Sequence, residues 1–206
     1  MELTRVTEHD LELIHEGHIE LIRSEDTGQE FLKGYAVVWY DKNNPGTTYR
    51  LPSGILERVD RHAFDEILKR GDNMEIVYGH EGHNWLGDTK TQTAFVEADE
   101  IGLKVTVPID KQYPQHLNVK TMVKRSVIKG MSFEASGLTQ KFRDAAGNFV
   151  SIIKRITSID NLSFEKRPAY KATTADFCRS EVAAYDAEIA KRKRIQEILT
   201  KGTKYV

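Results

Sequence analysis

Hydrophobic and polar positions change period several times along this chain, and each change marks an element. His18–Arg23 is a short strand-like run, followed by Glu30–Tyr40 (EFLKGYAVVWY), which is rich in aromatic and β-branched residues. Asp41–Thr47 (DKNNPGT) is a dense turn signal. Asp60–Arg70 reads as a helix in which Ala63, Phe64, Ile67 and Leu68 share a face. Asp60 suits its N-cap, Val59 and Phe64 a hydrophobic staple, and Gly71 its left-handed stop. Strand-like runs return at Met74–Tyr78, Thr93–Glu97 and Leu103–Pro108; in the last, Leu103, Val105 and Val107 alternate with polar residues. Over Pro114–Lys129 the period becomes helical, with Val119, Met122, Val123 and Val127 as the stripe and Gly130 as its end. Strands are expected again at Met131–Ser136, Asn148–Thr157 and Ser158–Phe164, with Asp144–Gly147 as a turn.

The ends differ from this middle. Residues 1–16 carry mixed charge and weak periodicity, and read as an N-terminal extension. From residue 179 the composition shifts to Ala, Glu, Lys and Arg, which predicts a helical tail over 179–206 capped by Ser180, with Ile195, Ile198 and Leu199 as its apolar patches. Residues 17–178 form the remaining domain. The predicted fold class is α+β: a mainly antiparallel β-barrel, closed or nearly so, of about eight strands, with two surrounding helices and one C-terminal helix.

Composition narrows the function classes. Of 206 residues, 39% are hydrophobic and 30% charged, ordinary for a globular protein with a core of its own. The formal net charge is −1, so nothing global recruits nucleic acid or an anionic membrane, and the Lys191–Arg194 run reads as a solvated face. No stretch approaches the roughly 20 apolar residues of a spanning helix, and the charged N-terminus does not read as a signal peptide. The single cysteine, Cys178, excludes an intramolecular disulfide and a Cys-based zinc cage, and reads as a spectator.

Three segments could carry chemistry. In Tyr78–Asp88 (YGHEGHNWLGD), His80 follows an apolar strand and sits beside glycines, where a loop can present its imidazole. In Lys129–Ser136 (KGMSFEAS), Ser132 stands at a helix-to-strand junction that can fix a side chain while leaving its hydroxyl accessible; no second glycine makes it a nucleophile elbow. In Ser158–Tyr170 (SIDNLSFEKRPAY), strand alternation puts Asn161, Ser163 and Glu165 on one face and Asp160 on the other. Taken singly, His80 also reads as a surface histidine and Ser132 as a structural serine.

The order of these segments is more specific than any of them. Over about Phe31 to Ala175 the chain resembles the prohead protease family of tailed phages, which is similar to the assemblin proteases of herpesviruses. The resemblance is carried by the GYAVVW strand, by ILERVDRHAFDEIL, by His80-Glu81 with Leu86-Gly87 downstream, and by Ile101–Val105. It continues through Gly130–Phe133 and closes on Leu162-Ser163 and Pro168–Tyr170. It implies a serine endopeptidase that cuts scaffold and major capsid proteins, and possibly itself. The implied setting is the assembling prohead in the host cytoplasm, with no cofactor and a possible homodimer. Ser132 would be the nucleophile and His80 the base. The family commonly has a small residue after Ser-Phe, where this chain has Glu134. It commonly has a glutamate two residues before the serine of the final strand. This chain has Asn161 there, beside Asp160, so Asn161 is the implied third member and Asp160 the alternative.

Two other readings compete. A metal-dependent hydrolase would use His80, Glu81, His83 and Asp88, although H-E-G-H is one residue short of the spacing that puts two histidines on one helical face. A capsid-assembly protein of the same fold with weakened catalysis is the other.

Overall fold

The computed structural model describes residues 19–24, 28–51 and 53–166. The expected N-terminal extension, C-terminal helix and Cys178 therefore lie outside the described residues. In chain order the elements are β1 (Ile19–Arg23), β2 (Glu30–Val38), a 3-10 turn (Pro45–Thr47), β3 (Tyr49–Arg50), β4 (Leu56–Val59) and α1 (Asp65–Arg70). They continue with β5 (Glu75–Tyr78), β6 (Glu81–Asp88), β7 (Phe95–Ala98), β8 (Gly102–Pro108), α2 (Pro114–Lys124), β9 (Gly130–Arg143) and β10 (Phe149–Glu165).

The strands form two sheets rather than a closed barrel: β1-β2-β8-β7, and β3-β4-β10-β5-β6 with β9 paired to β10. The α+β class stands; the barrel among the described residues does not. Among the described residues no edge strand of one sheet pairs with an edge of the other: β1 and β7 end the first, and β3, β6 and β9 the second. Both edges of β2 are used, one by β1 and the other by β8, so β9 reaches β2 through side chains. It does so where Met131 approaches Gly34 so closely that a Cβ on Gly34 would lie 2.9 Å from the Met131 sulfur. Pairing is also mixed. β9 runs antiparallel along the whole of β10, whereas β4 and β5 pair with β10 in parallel.

The long β10 replaces two expected strands, because its register shifts at Ile153/Arg155, Ile156/Ser158 and Ile159/Asn161 absorb the irregular pattern without breaking the ladder. The 60–63 turn docks on it through Asp60 N–H to the Ile153 carbonyl and Ile156 N–H to the Ala63 carbonyl, 2.9 and 2.7 Å. That docking shortens α1. The Asp60 carboxylate accepts from His62 N–H at 3.0 Å in a turn of its own, and the helix starts only at Asp65 with no side-chain cap. Gly71 ends it in the left-handed conformation, as expected. α2 also stops early, at Lys124, where Ser126 turns to positive φ. Val127 is consequently exposed, and Gly130 opens β9 instead of ending a helix.

The core lies between the sheets and the helices. Phe64, almost fully buried, meets Trp39 and Phe133 with ring centroids 5.9 and 5.8 Å away. Met131, Phe133, Leu162 and Phe164 all turn to this core. By strand alternation their neighbours on β9 and β10 face the other way. No helix among the described residues is long and apolar enough to cross a membrane.

Candidate active site

β5 and β6 are joined by a two-residue turn, Gly79–His80, closed by the pairing of Tyr78 with Glu81. Segment 78–88, expected as a loop after a strand, is thus a hairpin with His80 at its tip. Both turn residues have positive φ, 72° and 54°, the signature of the type I′ turn whose twist matches the flanking strands. Glycine adopts it freely; a histidine there costs about 1 kcal/mol, so something must hold it. Two bonds to β10 do. His80 N–H donates to Ser163 Oγ at 2.9 Å, and Gly79 N–H donates to the Phe164 carbonyl at 3.2 Å.

Under this turn lies a polar row. The register places Glu134 opposite Asn161, Ser132 opposite Ser163 and Gly130 opposite Glu165. Ser132 and Glu134 therefore share a face with Asn161, Ser163 and Glu165. The His80 ring lies over that face and its side chain is only 8% exposed. Nδ1 is 2.7 Å from Asn161 Oδ1 and 3.7 Å from Glu134 Oε2. Nε2 lies 3.6 Å from Glu165 Oε1. The Asn161 amide also donates from Nδ2 to Glu134 Oε2 at 3.1 Å. Because a carboxylate can only accept, that bond fixes the amide with its oxygen toward the ring. Nδ1 then carries a proton, and in the neutral ring Nε2 has the lone pair, the tautomer a general base needs.

Ser132 belongs to the middle pair of the row, between the end that ties Nδ1 and the end that faces Nε2. It is largely buried, and its hydroxyl has no hydrogen-bond partner among the described residues. A bond from Ser132 to Nε2 is thus not made in this state, as is common before substrate binds. Ser163, whose role the sequence did not reveal, is fully buried; besides holding the His80 backbone it donates to Glu165 Oε1 at 2.7 Å. The signal for Glu134 and Glu165 was the same period-two alternation that places Ser132 and Ser163.

The alternatives sit elsewhere. Asp160 is exposed at the register shift between Ile159 and Asn161, and is not among the partners of His80. His83 is 76% exposed and paired with Glu81 at 3.1 Å, on the outer side of the hairpin. Asp88 is buried and accepts from Thr91 N–H and Thr91 Oγ1 at 2.7 and 2.9 Å. Among the described residues, no three His, Cys, Asp or Glu side chains are grouped as a metal ion requires. The metal-hydrolase reading therefore finds no donor set.

A hydroxyl without a partner among the described residues, a buried imidazole and an amide bonded to its Nδ1 are groups that nucleophilic hydrolysis can use. The sequence model of the caudovirus prohead serine protease family matches residues 18–188. The chain belongs to that family. No curated protein and no solved structure matches it.

Proposed function

We propose that this protein is the endopeptidase that cuts major capsid and scaffold proteins, and possibly itself, inside the assembling prohead in the host cytoplasm. Residues 17–178 form its protease domain, whose fold we set beside the herpesvirus assemblins on sequence resemblance. The observation that carries the reading is the 2.7 Å bond from His80 Nδ1 to Asn161, made over the strand row that contains Ser132. In the mechanism His80 Nε2 takes the Ser132 proton as Oγ attacks the scissile carbonyl, then returns it to the leaving amine. Asn161 keeps the ring in the required tautomer. Ser163 holds the turn that aims it.

A fluorophosphonate reagent tests this with no knowledge of the cleavage sequence. Peptide mapping should find the adduct on Ser132, with labelling lost in His80→Ala and indifferent to a chelator. A folded protein that the reagent leaves unmodified, or labels at another serine, contradicts the assignment.

A further inference from the structure

We infer that Glu134 is the charged group behind the Nδ1 side of this site, acting on His80 through the Asn161 amide. The inference rests on the reading of Ser132 and His80 as nucleophile and base. It starts from a deficiency. An amide can orient an imidazole but cannot stabilise its cation as a carboxylate does. Asn161 makes up that deficit by position. Its Oδ1 accepts from His80 at 2.7 Å while its Nδ2 donates to Glu134 Oε2 at 3.1 Å, so the amide joins ring and carboxylate directly. The same carboxylate oxygen is 3.7 Å from Nδ1, close enough to act on the imidazolium without an intermediary. Asn161 and Glu134 are cross-strand partners, which makes their contact a consequence of register.

The other charged groups near the ring are placed differently. Glu165 lies on the Nε2 side, where its Oε1 already accepts from Ser163. Glu81, next in the chain, faces Asn84 and His83. Lys166 stands over the Tyr78 ring, 5.6 Å from its centroid. Among the described residues, Glu134 is the carboxylate coupled to the nitrogen that donates to Asn161. The arrangement also accounts for asparagine at 161. An aspartate could accept from His80 but could not donate to Glu134, and would set two carboxylates against each other.

The test is the pH dependence of fluorophosphonate labelling. In that step Ser132 Oγ forms the bond to phosphorus, fluoride leaves, and the hydroxyl proton passes to His80. Glu134→Gln keeps an acceptor for Asn161 and removes only the charge. With the imidazolium less stabilised, the acid limb of the rate profile should move to lower pH. Glu134 is 43% exposed, so solvent moderates the effect, and the plateau rate should fall roughly 3- to 10-fold. The double variant Asn161→Asp/Glu134→Gln returns a carboxylate to the ring and a donor to its partner, and should restore the limb. An unmoved limb in Glu134→Gln overturns the inference, even where the rate falls, since that marks a merely structural contact. A limb that moves in Glu165→Gln and not in Glu134→Gln overturns it too. A wild-type protein without an adduct on Ser132 fails at the earlier step and rejects the nucleophile itself, an outcome distinct from the other two.

Discussion

His80, the residue on which the site turns, is held by backbone as much as by side chain. Its left-handed φ, its N–H bond to Ser163 and its Nδ1 bond to Asn161 give the ring one place to be. Asn161→Ala should therefore lower turnover on the order of 10²-fold through loss of the tautomer lock, while Asp160→Ala leaves it near wild type. Steady-state kinetics on the two folded variants decide between them, and a dead Asp160→Ala would mean the strand register is wrong by one residue. A second histidine makes an independent prediction about stability. His116 is buried, its Nδ1 accepting from Asp110 N–H at 2.9 Å and its Nε2–H donating to the Leu86 carbonyl at 2.7 Å. Burial depresses its pKa, partly offset by the Leu86 carbonyl and Asp110. The neutral ring is the folded form, so its contribution is complete above the unfolded value and is lost as pH falls through and below about 6.5. Urea titrations should show His116→Gln less stable than wild type at pH 8 but with a flatter loss of stability toward pH 5; parallel pH slopes would contradict this. That His80 and Asn161 come near the strand row containing Ser132 agrees with motif order and strand alternation. The coupling of Glu134 to Asn161 was not legible in the sequence, because it depends on which residues of β9 and β10 stand opposite each other.

Elements were legible where their period was long and unopposed, and were missed where tertiary bonds competed with propensity. The alternation of Leu103, Val105 and Val107 gave β8, and all three are fully buried. The helical stripe from Val119 gave α2 but overran it, since nothing in the pattern signals the turn at Ser126. β3 and β6 carry little apolar alternation, and pairing with neighbours decides them. Bulges likewise join two expected strands into β10. The β2–β8 pair exposes this dependence to experiment. A Cβ on Gly102 would lie 1.9 Å from the Val37 carbonyl oxygen, a backbone atom that cannot move without opening the pair. Gly102→Ala should cost about 3 kcal/mol, the upper range for overpacking, seen as a lower denaturation midpoint at unchanged slope. A midpoint equal to wild type would show that the two strands can separate locally at no cost.

At the scale of the molecule, the larger sheet brings together residues distant in sequence: the β5–β6 hairpin supplies the His80 imidazole, and the β9–β10 pair supplies the Ser132 hydroxyl, the Asn161 amide and the carboxylates of Glu134 and Glu165. The sequence conveyed the α+β class but suggested a closed barrel, because strand patterns reveal faces and not edges. Only the structure shows which edges pair, and among the described residues none joins the two sheets. The central claim is that this assembly cuts capsid and scaffold proteins with Ser132 and His80. Its most direct measurement is intact-mass spectrometry of the cognate capsid and scaffold proteins, co-expressed with wild-type, Ser132→Ala or His80→Ala protein. Folding of each variant would be checked by its thermal transition. The account predicts discrete truncation with the wild type and full-length proteins with either variant. The same truncation produced by a folded Ser132→Ala protein would contradict it.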